Sequence, residues 1–139
     1  MTLFTWEEKY SVGIDSIDKQ HKHFFEIANR LIMLEEKKNP TAIDLSAMIS
    51  ELEEYAFYHL QTEEKCFDTL HYPDAPKHVR EHNVYREKIA HYIITLADPK
   101  INIVHLAKDI ANYSINWLTN HILFTDKEYS TFFKEHGVV

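Results

Sequence analysis

Apolar positions recur at helical spacing in four long stretches of this chain, and each stretch predicts an amphipathic helix. The first stripe is Ile17, His21, Phe24, Ala28 and Leu31, with Phe25 and Ile32 beside it. Ser16 or Asp18 is its expected cap, and the helix is expected to run to about Lys38, where Asn39-Pro40 stops it. The second begins at Thr41 or Asp44 and places Leu45, Met48, Leu52, Tyr55, His59 and Glu63 on one stripe, widened by Ile49, Ala56 and Phe67. Glu51, Glu53 and Glu54 fall on its water side. The segment His71-Tyr72-Pro73-Asp74-Ala75-Pro76 reads as a turn, with Pro76 suited to the first turn of a third helix. That helix carries His78, His82, Tyr85, Ile89, Tyr92 and Leu96 inward and ends at Asp98-Pro99. The fourth runs from about Ile103 to Leu123, with Val104, Ala107, Ile110, Ser114, Trp117, Leu118 and His121 inward. Thr125-Asp126 reads as a break and a new cap, followed by a short C-terminal helix holding Tyr129, Phe132 and Phe133. Residues 1 to about 16 read as a non-helical arm anchored by Phe4, Trp6 and Tyr10. Long helices joined by short connections predict an all-α, antiparallel up-down-up-down four-helix bundle.

Composition narrows the setting. The 139 residues suffice for one domain, 1–139, with a real core, and 45% of them are hydrophobic. Two glycines and four prolines are too few for a linker-rich chain or a phosphate-cradling loop fold. The formal net charge of −7, with no basic stripe, argues against nucleic acid as a partner. Cys66 is the sole cysteine, so no internal disulfide can form, which fits a reducing compartment. No secretory leader is legible, and no apolar run approaches the roughly 18 residues of a membrane span. A cytoplasmic protein without membrane attachment is expected. Alternating charges on the outer faces, with no evident apolar outer stripe, lead to the expectation of a monomer.

Chemistry enters through the histidines. Of ten, His23, His71, His91, His105 and His136 lie in turns or off the inward stripes and read as ordinary surface or satisfied residues. The others do not. His21, His59, His78 and His82 occupy positions where an apolar residue would continue a stripe, and His121 lies inward on the fourth helix. His59 and Glu63 are spaced i, i+4, as are His78 and His82, so each pair shares a helix face. Asp126 lies five residues after His121, off any regular α-helical face, and needs the expected break to reach the same site. Burying these imidazoles with two carboxylates is costly unless something compensates. A metal binds neutral imidazole and ionised carboxylate together and removes that cost. Five imidazoles and two carboxylates exceed what one tetrahedral zinc needs and suit two octahedral-leaning ions bridged by carboxylates. Nitrogen-rich, thiolate-free ligation fits iron and disfavours calcium and magnesium. Ferritin-like di-iron proteins rely on Glu and on Glu-x-x-His pairs, and none of these pairs reads on an inward face here.

The ordered motifs resemble the hemerythrin family, specifically the single-domain bacteriohemerythrins, over nearly the whole chain. They are Trp6 through Tyr10-Ser11-Val12-Gly13-Ile14 to Ile17-Asp18-Lys19-Gln20-His21, then His59 to Glu63, His78 to His82, and His121 to Asp126. The resemblance implies a non-haem di-iron centre, two Fe ions with an oxo or hydroxo bridge. His78, His82 and His121 would hold one iron, His21 and His59 the other with an open position, and Glu63 and Asp126 would bridge. It implies that O2 binds at the open iron, becomes a hydroperoxide as both irons turn ferric, and is released by the reverse path. The function so implied is reversible O2 binding for storage, transport or supply, not enzymatic turnover. An oxygen-consuming enzyme or a signalling protein would be the candidate partner. O2, redox or NO sensing, and peroxide or NO detoxification, remain alternatives for the same site. Phe24, Leu60, Leu118 and Ile122, each beside or one turn from a ligand, are candidates for a dry O2 pocket, although ordinary core would look the same. Ligating histidines need partners for their other N–H, and Tyr55, Gln61 and Glu64 are candidates the sequence does not choose between. Cys66 reads as a buried structural thiol.

Overall fold

A computed structural model describes residues 3–139 and contains five helices. They are α1 (Asp15–Met33), α2 (Ala42–Leu70), α3 (Ala75–Leu96), α4 (Ile103–His121) and α5 (Lys127–Glu135). Short 3-10 turns span Glu8–Tyr10 and Leu34–Glu36, and a π-helical turn, Ile122–Asp126, joins α4 to α5 without interruption. The first four helices form a closed bundle in which α1 packs on α2 and α4, and α3 packs on α2 and α4. No described helix is long and apolar enough to cross a membrane.

Local chemistry accounts for several of the helix ends. Thr41 and Asp44 form a capping box on α2: the Asp44 amide donates to Thr41 Oγ1 (3.2 Å) and the Thr41 amide to Asp44 Oδ2 (2.9 Å). His71, with φ of 55°, closes the same helix in the left-handed conformation usually given to glycine. Asn102 caps α4 by accepting the His105 amide at 3.0 Å. The start of α1 departs from expectation. Neither Ser16 nor Asp18 caps it, and the N-cap position is Ile14. Asp18 instead turns back on the arm and accepts from Ser11 Oγ (2.5 Å) and the Val12 amide (2.9 Å), which fixes how the arm enters the helix. The α1 helix also ends earlier than predicted, at Met33, because its last turn tightens to 3-10 form before Asn39 takes a positive φ.

The arm is packed, as its aromatics predict. Phe4 stacks on Phe25 with centroids 3.9 Å apart, and its backbone is pinned from both sides by the Asn29 amide (2.8 and 2.9 Å). The core is formed largely by the predicted stripes, with Met48, Tyr55, Tyr92, Leu96 and Trp117 half-buried at its edge and Leu106 buried where Val104 was expected to lead. Inward polarity at Ser114 is explained by its 2.8 Å hydrogen bond with the buried Tyr85 hydroxyl. The outer surface is less uniformly polar than predicted. Ile43 and Ile93 border an apolar groove of about 560 Å³ between the start of α2 and the end of α3.

Candidate metal centre

All seven predicted ligands converge inside the bundle. α1 brings His21, α2 brings His59 and Glu63, α3 brings His78 and His82, α4 brings His121, and the π turn brings Asp126. Every one of them is buried. The regular spacings place the α2 and α3 pairs as expected. The Asp126 position has a different cause from the one predicted. There is no break at Thr125-Asp126, and Asp126 caps nothing; both stay helical. In an α-helix, residues five apart diverge by about 140°. The π turn, closed by the Lys127 amide on the Ile122 carbonyl, overcomes that divergence and turns Asp126 onto the His121 face.

The donors divide into two overlapping sets. Glu63, His78, His82, His121 and Asp126 form one, and His21, His59, Glu63 and Asp126 the other. The carboxylates are common to both. Asp126 Oδ1 lies 2.9 Å from Nε2 of both His78 and His121, while Oδ2 lies 3.2 Å from His21 Nε2. Glu63 Oε1 lies 3.2 Å from His59 Nε2 and 3.4 Å from His82 Nε2.

Hydrogen bonding behind the imidazoles shows which species the site is made for. His59 Nδ1–H donates to Gln20 Oε1 (2.7 Å), His82 Nδ1–H to Glu64 Oε2 (2.7 Å), and His121 Nδ1–H to Glu81 Oε1 (3.1 Å). Each acceptor fixes the tautomer and leaves a lone pair on Nε2. His82 and His121 therefore turn lone pairs on each other at 3.1 Å. None of the four oxygens of Glu63 and Asp126 has a hydrogen-bond partner, although all are buried. Facing acceptors of this kind need a cation among them. Without one, the positive charge must come from protons. Burial lowers the His121 pKa, but Asp126 and Glu81 overcome it and raise the imidazole to about 10. At His59 burial prevails over Glu63 and lowers the pKa.

The spacing of the imidazole nitrogens suits donors set at right angles about a cation. With metal–nitrogen bonds of about 2.1 Å, donors at a right angle lie about 3.0 Å apart, and those at a tetrahedral angle about 3.4 Å. The Nε2–Nε2 distances are 2.9 Å for His78–His121, 3.1 Å for His82–His121 and 3.0 Å for His21–His59. All three match the right angle.

A model of the hemerythrin HHE cation-binding domain matches residues 12–133. The chain belongs to the hemerythrin family. It is 30% identical to a bacteriohemerythrin of Clostridium acetobutylicum over 91% of this chain and 98% of that one. It is 27% identical to a bacteriohemerythrin of Stenotrophomonas maltophilia over 98% and 85%, respectively. The fold matches the crystal structure of a wild-type hemerythrin with a TM-score of 0.81, at 24% identity and coverage of 94% and 97%.

Within this hemerythrin fold, sequence reasoning missed two of the three outer partners. Glu64 is one of the three residues proposed; Gln61 is exposed, and Tyr55 packs edge-on against His23 instead. Gln20 adjoins a ligand in the N-terminal motif, which was a usable signal. Glu81 adjoins His82 in the chain, and nothing in the sequence separates it from a solvated charge. Arg86 holds Glu64 through both oxygens (2.8 and 2.9 Å), and the bonds from His82 and Arg86 outweigh burial, which opposes them, to keep its carboxyl at about 2. Cys66 is only part-buried, and burial with Glu63 nearby raises its thiol pKa, so it is a thiol and not a reactive thiolate.

Proposed function

We propose that this chain holds two iron ions and binds O2 reversibly, for storage, transport or supply. The observation that carries this reading is the unequal division of the buried ligands: two carboxylates shared, three imidazoles on one side and two on the other. His78, His82 and His121 would saturate one ion together with the bridges. His21 and His59 would leave the other short of a full set. Two ferrous ions would each supply one electron to O2, taking it reversibly to the peroxide level.

The chain's own residues would do the rest. Gln20, Glu64 and Glu81 each take up an imidazole Nδ1–H and so aim the Nε2 atoms of His59, His82 and His121 inward. Phe24, Leu60, Leu118 and Ile122 are completely buried, and we assign them to the wall that excludes water at the two-histidine side. Neutral imidazoles leave the cluster more positive than carboxylates would, which favours the ferrous state over irreversible oxidation.

The test is anaerobic reduction followed by air, with metal counted and the visible spectrum recorded. Two irons per chain and a charge-transfer band that appears with O2 and disappears on its removal are expected. Two irons with immediate irreversible oxidation would favour sensing, or peroxide or NO chemistry, at the same site. Zinc, or fewer than two metals, would refute the reading.

A further inference from the structure

The anchors behind the imidazoles are not equivalent. His59 leans on the neutral amide of Gln20, and His82 on a Glu64 whose charge is shared with Arg86. Glu81 does something neither of these does. It accepts from His121 Nδ1–H at 3.1 Å and from Thr125 Oγ1 at 2.8 and 2.9 Å to its two oxygens. His121 ends α4, and Thr125 lies inside the π turn next to Asp126. One carboxylate from α3 thus grips both ends of the segment that presents His121 and Asp126.

That segment is also where the helical run from α4 to α5 departs from α geometry. π turns are rare and are kept where a function needs them. Thr125 is buried and Glu81 part-exposed, so the hydroxyl meets the carboxylate from its protein side. Trp117 stacks on the His121 ring at 4.5 Å and 13°, which limits the ring's tilt but cannot set its rotation in plane. The Nδ1–Glu81 bond sets that rotation.

We propose that Glu81 is a positioning residue of the metal centre. Its carboxylate fixes the orientation of His121 and, through Thr125, the place of the Asp126 bridge. Glu81 touches no ion, and its effect passes through two residues that would. This inference rests on the metal reading above.

The experiment is a titration of metal-free protein with cobalt(II), followed by visible absorption and by counting bound ions. The unaltered chain is expected to take two ions. Glu81→Ala should weaken at least one of the two by about 10–100-fold, the usual cost of losing an outer partner. Glu81→Gln keeps an oxygen that can accept from Thr125 and His121, and should recover most of the loss. Thr125→Val removes only the hydroxyl and should weaken binding although residue 125 is not a candidate ligand. Unchanged affinity in Glu81→Ala overturns the proposal, as does a Glu81→Gln variant no better than Glu81→Ala, because charge and not position would then be at work. If Glu81→Ala does not fold, Thr125→Val decides: cobalt affinity equal to that of the unaltered chain overturns the proposal. An unaltered chain that fails to bind a pair of ions removes the metal reading, and the proposal with it; a failure in the variants alone leaves that reading standing.

Discussion

His121 and Asp126 are five residues apart in the chain, yet Nε2 of one lies 2.9 Å from Oδ1 of the other. The π turn between them makes this possible, and it delivers a carboxylate that faces both histidine sets. Asp126→Asn keeps the shape of the side chain but removes its charge and half of its carboxylate character. It should reduce the affinity for the ion pair by at least about 100-fold, more than losing an outer partner does. Ions retained per chain after gel filtration are the readout. Two ions held as firmly as in the unaltered chain would show that Asp126 is not a bridge.

The two ligand sets predict different outcomes for removing one imidazole from each. His59→Ala leaves the two-histidine side with His21 alone, while His78, His82, His121 and both carboxylates remain. One ion per chain should stay bound and O2 binding should disappear. His78→Ala attacks the richer set, and its loss should lower total occupancy more. Metal analysis of both variants checks this. A His59→Ala protein that still binds O2 would show that the two sets have been assigned the wrong way round.

The legible and illegible parts of this chain differ for a physical reason. Apolar periodicity specifies a helix and its inward face, so the stripe positions held by His21, His59, His78 and His82 were readable as buried donors. The π turn was not readable, because Thr-Asp after a helical run has the same composition as a cap. Only the neighbouring helix shows that Thr125 bonds to Glu81 and that Asp126 points into the core. Glu81 was hidden for a related reason. A part-exposed glutamate on a helix looks like a solvated charge until the element packed against it is known. The capping box at Thr41 was visible because both of its partners lie within four residues of each other.

The α2 capping box predicts an acid-sensitive start to that helix. The Lys37 ammonium, 2.6 Å from Asp44 Oδ1, and the Thr41 amide lower the Asp44 pKa below its ordinary value. A carboxyl lowered in the folded state adds stability that is present above the unfolded pKa, about 3.9, and is lost as pH falls through the lower folded value. Lys37→Ala should therefore shift the onset of acid fraying at the α2 start to higher pH. Thr41→Ala should cost about 1 kcal/mol at neutral pH through loss of the hydroxyl cap. Amide exchange at residues 42–46 and urea melts report the two effects. An acid response identical in Lys37→Ala would mean that the ammonium does not hold Asp44 in solution.

Leu118 lies one helical turn before His121 and is completely buried. As plain core, its truncation would cost only stability. As part of a dry wall, it would also control access to the ions. Leu118→Ala should cost about 2–5 kcal/mol, because the neighbours cannot fully close the cavity. It should also speed irreversible oxidation of the ferrous protein in air, because the space left by the side chain can admit water and anions. Ala28, completely buried on α1 and outside the proposed wall, offers a control through overpacking: Ala28→Val should destabilise by about 1–3 kcal/mol. If Leu118→Ala and Ala28→Val lose similar stability but only the first oxidises faster, Leu118 guards the site. Equal oxidation rates in both would return Leu118 to ordinary core.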